Sequence, residues 1–364
     1  MTPVRLAVIG AGHLGRFHSR LASASDRYDL VAVCDPSEAA RNALAEETGA
    51  RPVADYREVL DQVDAAVLAT PTVTHNAIGC QLLSAGLHCL IEKPLAPTAA
   101  EATELVELAD ERNLVLQVGH VERFNPALEL VQPQLRDPKY ITATRTSGYT
   151  FRSTDIGAVL DIMIHDIDLV LGIAQSQVAN VTAMGLSVLG DHEDMATAQI
   201  TFESGCVAQL TASRVSYELQ RTMQVFTSRG FVAVDFNSRE ATTVEPKEEV
   251  LRREFAAGEL TNDQRDTLRS GLFEKLLVKS TSEAPPVNAI EAEQAEFADA
   301  IQTGSTPRVT GVVGREAVAV AELVLEAIEE HAWDGDAAGR RGAFATPALP
   351  ILTTSQFDGL RKAG

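Results

Sequence analysis

Six short apolar runs fill the first 120 residues: VRLAVIG, DLVAVCD, RPVAD, DAAVLAT, HCLIEKP and LVLQVGH, with helix-patterned stretches such as SEAARNALAEETG and AAEATELVELADERN between them. A strand buried on both faces reads as a continuous apolar run rather than an alternating one. Strands joined through helices must be parallel, because the crossover helices cover the faces of the sheet. The pattern therefore predicts an α/β fold opening with a doubly wound parallel sheet of six strands.

After Glu122 the texture changes. A helix is expected through PALELVQPQL, interrupted at Pro133. YITATRTSGY, QVANVTAMGLSVL, DMATAQITFESGCVAQLTASRVS, RTMQVFTSRGFVAVDF and EATTVEP carry strand periodicity, enough for one large, open, mostly antiparallel sheet. FESGCVAQL reads as a hairpin turning at Ser204-Gly205. Residues 247–282 are charged and poorly periodic, the pattern of a loop or insertion, and two closing helices run through AIEAEQAEFADAIQTG and GREAVAVAELVLEAIEEH. A chain of 364 residues exceeds one ordinary core. Two domains are expected, 1–124 and a second α/β domain over 125–364, with an irregular tail from Trp333 onward.

Lys and Arg number 31 against 51 Asp and Glu, a net charge of −20. That balance argues against nucleic acid or an anionic membrane as the main partner. It leaves room for an anionic small molecule held by a local cluster of cations and N–H groups. Cys34, Cys80, Cys89 and Cys206 show no CxxC spacing, so neither a disulfide framework nor a zinc site is expected. No apolar run approaches the roughly 18 residues of a membrane span, and the N-terminus opens into a strand rather than a signal peptide. The expectation is a cytoplasmic protein.

The first strand ends in Gly10-x-Gly12-x-x-Gly15, a helix pattern follows, and Asp35 closes the second strand. A glycine hexad alone is a weak signal. Between a strand and a helix, with an acid about 20 residues on, it is the dinucleotide fingerprint. The glycines permit a tight turn and close backbone approach, so the helix N-terminus can hold a pyrophosphate. The Asp35 carboxylate can accept from both ribose hydroxyls of NAD and would repel the extra phosphate of NADP, which favours NAD; Arg41 would soften that repulsion.

LDIMIHDIDLVL, residues 160–171, sets three aspartates and one histidine in a strongly apolar run. On an α-helix Asp161, His165 and Asp168 fall at i, i+4 and i+7, within an arc of roughly 60°. A polar stripe on an otherwise buried helix needs partners within the protein or a ligand. No second histidine stands at ligand spacing, so no metal is expected. Asp166 points off the stripe and is read as capping or pairing locally, and Asp168 as structural.

Glu92-Lys93-Pro94 ends the fifth strand, at the carboxyl edge where an open α/β sheet places its ligand. With the glycine fingerprint, ATPTVTH over 69–75, Asp161-x-x-x-His165 and EFADAIQTGSTPRVTG, the chain resembles the glucose–fructose oxidoreductase, inositol dehydrogenase and rhizopine catabolism family (Gfo/Idh/MocA) from residue 4 to about 330. The resemblance implies a Rossmann domain, then an α/β domain whose open sheet carries homodimer or homotetramer contacts. It implies hydride transfer between nicotinamide and a sugar or cyclitol carbon. The cofactor is expected along Gly10, Gly12, His13, Leu14, Gly15, Asp35, Thr70, Pro71, His75, Glu92 and Lys93, with Lys93 and His165 flanking the reacting hydroxyl and Asp161 beside them. VGHVERFNPA, 118–127, and RSTDIGAVLDIMIHDIDLVL, 152–171, look like the UDP-N-acetylglucosamine 3-dehydrogenase branch. Members of that branch oxidise the sugar C3 hydroxyl to a ketone, which an aminotransferase partner can convert to an amine.

Alcohol oxidation needs a base for the hydroxyl proton and a hydride acceptor held close to the carbon. His165, with an ordinary pKa of about 6.5, is read as the base, and Lys93, ordinarily near about 10.4, as its electrostatic partner; the reverse assignment stays open. Asp161 would orient the imidazole or bind a neighbouring sugar hydroxyl. Glu122, Arg123 and Asn125, just past the sixth strand, are read as substrate contacts or a polar hinge. Arg152 is assigned to a diphosphate, and His75 to a helix cap near the cofactor. The rival readings are a free-sugar or inositol 2-dehydrogenase and a non-catalytic NAD-binding sensor.

Overall fold

The computed structural model describes residues 2–151, 154–333 and 341–344. The N-terminal part runs β1 (Val4–Ile9), α1 (His13–Ser23), β2 (Tyr28–Cys34), α2 (Glu38–Thr48), β3 (Arg51–Val53), β4 (Ala65–Leu68), α3 (His75–Ser84), β5 (His88–Glu92), α4 (Ala99–Glu111) and β6 (Leu116–Gly119). The six strands form one parallel sheet in the order β3-β2-β1-β4-β5-β6. Its centre is apolar on both faces: all four residues of β4 and the last four of β5 are buried. The order reverses beside β1, so a crevice opens over the carboxyl ends of β1 and β4.

The second part contributes α5 (Pro126–Val131), β7 (Pro138–Thr146), α6 (Ile164–Ala174), β8 (Val178–Leu186), β9 (Met195–Phe202), β10 (Val207–Ser213), β11 (Gln220–Thr227), β12 (Gly230–Asp235) and β13 (Glu240–Pro246). Then come the short helices α7 (Glu248–Leu251), α8 (Asn262–Ser270) and α9 (Leu272–Lys275), β14 (Leu277–Glu283), and the long helices α10 (Ala289–Thr303) and α11 (Gly311–Glu330). Pro133 does end the helical stretch: α5 stops at Val131 and a single 3-10 turn follows. The eight strands order as β14-β13-β12-β11-β7-β10-β9-β8, antiparallel throughout except for the parallel pair β7–β10. One face packs on α6 and α11. The other presents residues such as Thr142, Thr144, Gln199, Gln209 and Gln224, all at least partly exposed.

One expectation changes. The 247–282 segment is not wholly loop: LVKSTSE is β14, the edge strand, paired along β13. Only its first residue is half-buried and the rest are exposed, so it carries no apolar alternation to read. Across the 124/125 division the two parts pack together. Phe297 and Ala298 of α10 join Val4, Leu6, Val8, Ala65 and Val67 in one apolar cluster under the first sheet. Gln117 Nε2 donates to the Glu293 carbonyl at 3.0 Å, and the Tyr28 hydroxyl donates to that of Gln294. No described helix is long and apolar enough to cross a membrane.

Candidate active site

The turn between β1 and α1 is shaped by its glycines. Gly10 has φ +101°, and a Cβ there would lie 2.2 Å from the Ala69 carbonyl oxygen; at Gly15 one would lie 1.8 Å from the Gly10 carbonyl oxygen. A Cβ at Gly12 would meet nothing within 4 Å, so this position opens outward. Gly12 is the N-cap of α1 and supplies no side-chain cap, which leaves the helix's first N–H groups for an anion. The adjoining cleft, about 480 Å³, is lined by Gly10, Gly12, Asp35, Thr70 and Pro71. Asp35 is fixed by N–H donors from Ala11 and Ser37, each at 2.8 Å. Arg41 donates to the carbonyls of Asp35 and Pro36, not to the Asp35 carboxylate. The glycine cradle and the acid at its far end fit a dinucleotide. Asp55, Tyr56 and Arg57 also line this cleft and had not been singled out; their only sequence signal is position just past β3, at the sheet's carboxyl edge.

His75 is placed differently from expectation. It is buried, its Nδ1 lies 2.9 Å from the Pro94 carbonyl oxygen and its Nε2 2.9 Å from that of Thr70. It ties the loop after β4 to the loop after β5, and its side chain caps no helix.

A second cleft of about 370 Å³ continues from this region, with His13, Leu14, Glu92 and Lys93 on its nucleotide-sheet side and Glu122, Arg145, Asp161 and His165 across from them. Lys93 Nζ donates to the Asp161 carboxylate at 3.1 Å and to the Asp161 carbonyl at 2.5 Å. Asp161 thus pairs with Lys93 and not with His165. Val159–Met163 winds as a π-turn before α6, a wider coil than the α-helix, and presents Asp161, Ile162 and His165 together to the cleft. His165 Nδ1 has no hydrogen-bond partner among the described residues, and its ring stands edge-on to His120, centroids 6.5 Å apart. Burial first, then the charges of Lys93 and Arg145, push the His165 imidazole well below its ordinary pKa, so it is neutral at neutral pH. Glu92 accepts from His18 Nε2 at 2.8 Å and from the Lys93 N–H at 3.2 Å. Burial pushes its carboxyl up, but the His18 bond and charge outweigh this and hold it below the ordinary value.

Under the cleft lies a buried charge network that corrects several expectations. Arg145 donates to Glu122 at 2.7 Å and to Asp166 at 2.8 Å, so Asp166 pairs 21 residues away rather than locally. Arg123 does not line the cleft: it forks onto Asp168, at 2.7 and 2.9 Å. Asn125 caps α5 through the Ala127 N–H at 3.1 Å and donates to Glu122 at 3.1 Å. Of the three, only Glu122 lines the cleft. Arg152 lies outside the described residues. Arg145, Arg214 and Arg221, which do line it, were missed. Arg145 carries a readable signal, because it continues the inward-facing parity of Ile141 and Ala143 in β7.

Comparison with known proteins now bears on this geometry. Residues 4–120 match the family model "Oxidoreductase family, NAD-binding Rossmann fold", and residues 128–233 match the GFO/IDH/MocA C-terminal domain. The UDP-N-acetylglucosamine 3-dehydrogenase of Acidithiobacillus ferrooxidans is 40% identical over 237 residues, 65% of this chain and 75% of that protein. The chain belongs to the Gfo/Idh/MocA family. Its N-terminal part is an NAD-binding Rossmann domain, and the protein is an oxidoreductase acting on CH–OH groups. The solved structure of the dehydrogenase GnnA from Acidithiobacillus ferrooxidans superposes with a TM-score of 0.78 at 33% identity, covering 90% of this chain and 98% of that one. The scyllo-inositol 2-dehydrogenase (NAD(+)) of Bacillus subtilis is 30% identical over 233 residues, 58% of this chain and 68% of that protein. For a Gfo/Idh/MocA oxidoreductase, the cleft joining the glycine turn to Lys93, Asp161 and His165 is the candidate site of hydride transfer.

Proposed function

We propose that this oxidoreductase dehydrogenates the C3 hydroxyl of a UDP-N-acetylhexosamine such as UDP-N-acetylglucosamine, with His165 as base. The observation that carries the reaction is that a neutral, half-buried His165 and the Lys93–Asp161 pair line one cleft that opens toward the glycine turn. The likeness to the A. ferrooxidans dehydrogenase supports the sugar nucleotide and the carbon.

Bound NAD supplies the hydride acceptor. The imidazole of His165, kept neutral by burial and two cations, accepts the hydroxyl proton. Lys93, held by two oxygens of Asp161, has a further N–H to donate to the substrate oxygen as negative charge develops there. Glu92, anchored by His18, fixes the backbone N–H of Lys93 and so the position of that side chain. The ketone product suits a downstream aminotransferase, which would draw the equilibrium toward oxidation.

Incubating the protein with NAD and a panel of UDP-sugars, free sugars and inositols, with a ketone trap, tests this through NADH absorbance. NADH formation with UDP-N-acetylglucosamine and a 3-keto product supports the reading. NADH formation only with free sugars or inositol would refute the substrate and favour the inositol-dehydrogenase reading.

A further inference from the structure

Beyond His165 the candidate cleft is lined by residues 146–150, Arg214 and Arg221, which belong to a rim of two segments, 146–151 and 214–221, running side by side. Ser216 N–H donates to the Ser147 carbonyl at 3.0 Å, and Thr146 Oγ1 donates to the Glu218 carbonyl at 2.8 Å. Three arginines stand on this side of the cleft. Arg145 is engaged by Glu122 and Asp166, and Arg214 by Asp194 at 2.7 Å and the Ile156 carbonyl at 2.8 Å. Arg221 lies directly opposite Arg145 in the β11–β7 ladder, is exposed, and forms no ion pair among the described residues. Like charges across a strand pair are unfavourable, and Arg145 is neutralised from below, so the charge of Arg221 is the one turned to the cleft. In a chain of net charge −20, this is a local concentration of cations in the opposite sense.

The same rim leaves large rings in water. Phe151 is 80% exposed and stands edge-on to Tyr149 at 5.0 Å between centroids, while Arg214 lies 5.1 Å over the Tyr149 ring and holds it in place. A fixed ring that lines the same cleft as the Arg221 guanidinium, with a second, almost bare ring against it, suits a ligand with both an anionic and a flat aromatic part. The guanidinium fork matches two phosphate oxygens at once.

We propose that this rim is the nucleotide subsite: Arg221 takes the diphosphate and the Tyr149–Phe151 pair takes the base, leaving the sugar at Lys93 and His165. The assignment rests on the UDP-sugar reading above and names the residues that would enforce it. It also supplies a described cation for the role expected of Arg152.

The test is titration calorimetry of UDP and of inorganic pyrophosphate into wild type, Arg221→Gln, Arg221→Lys and Phe151→Ala, each with NADH bound, alongside steady-state kinetics with UDP-N-acetylglucosamine. NADH fluorescence shows that each variant keeps its fold. The expected result is at least a tenfold loss of UDP affinity in R221Q, partly restored in R221K, with the kinetic loss in KM rather than kcat. F151A should weaken UDP and leave pyrophosphate unchanged. Wild type that binds UDP and turns over the sugar nucleotide, with R221Q binding UDP equally well, would overturn the subsite and leave the function standing. Wild type that neither binds UDP nor oxidises UDP-sugars would overturn both.

Discussion

Arg145 offers the sharpest test of how the site is supported. It is 5% exposed, and its guanidinium is the shared partner of Glu122 and Asp166, which are 8% and 1% exposed. Arg145→Met keeps the length and apolar stem but leaves two carboxylates buried without their cation. Removing one member of a buried ion pair costs about 3–5 kcal/mol. With an unfolding entropy of about 2.1 cal/mol/K per residue over 364 residues, that corresponds to a fall in Tm of roughly 4–7 °C. The loss should depend on pH. Burial already holds the Asp166 carboxyl above its ordinary value with Arg145 present, and losing Arg145 raises it further. A carboxyl raised in the folded state takes up its proton, as pH falls, before the unfolded chain does. The variant therefore regains stability as pH falls from that raised value toward the ordinary one near about 4, so its deficit narrows on acidification. Urea unfolding of wild type and variant followed by circular dichroism measures both quantities. A deficit under about 1 kcal/mol, or one that widens on acidification, would refute the network as described.

Because burial and neighbouring cations push His165 down, the acid limb of kcat/KM against pH should lie below the ordinary histidine value of about 6.5, and His165→Asn should abolish turnover while NAD still binds; an acid limb at or above 6.5 would remove His165 as base. The two nearby glycines should separate fold from binding. Gly15→Ala drives a Cβ into the Gly10 carbonyl and should lower Tm and soluble yield, whereas Gly12→Ala meets nothing in the protein and should keep its Tm while NAD affinity falls; equal Tm losses would contradict the geometry of the turn.

Much of this protein was legible from neighbours along the chain. The six parallel strands and the glycine turn with Asp35 rest on local periodicity and on backbone freedom at particular glycines, which a linear sequence displays directly. Lys93, Asp161 and His165 were reachable through family resemblance, although Lys93 and Asp161 stand 68 residues apart. Tertiary structure alone decided which charges meet. Arg123 turns to Asp168 across 45 residues rather than into the cleft, Arg145 gathers Glu122 and Asp166 from two different segments, and Arg221 is left facing the cleft because the strand beside it took both acids. LVKSTSE becomes a strand only because β13 leaves an edge for it to pair with. Apolar periodicity is written by each element for itself, but the partner of a buried charge depends on which elements the fold brings together, and no stretch of sequence carries that on its own.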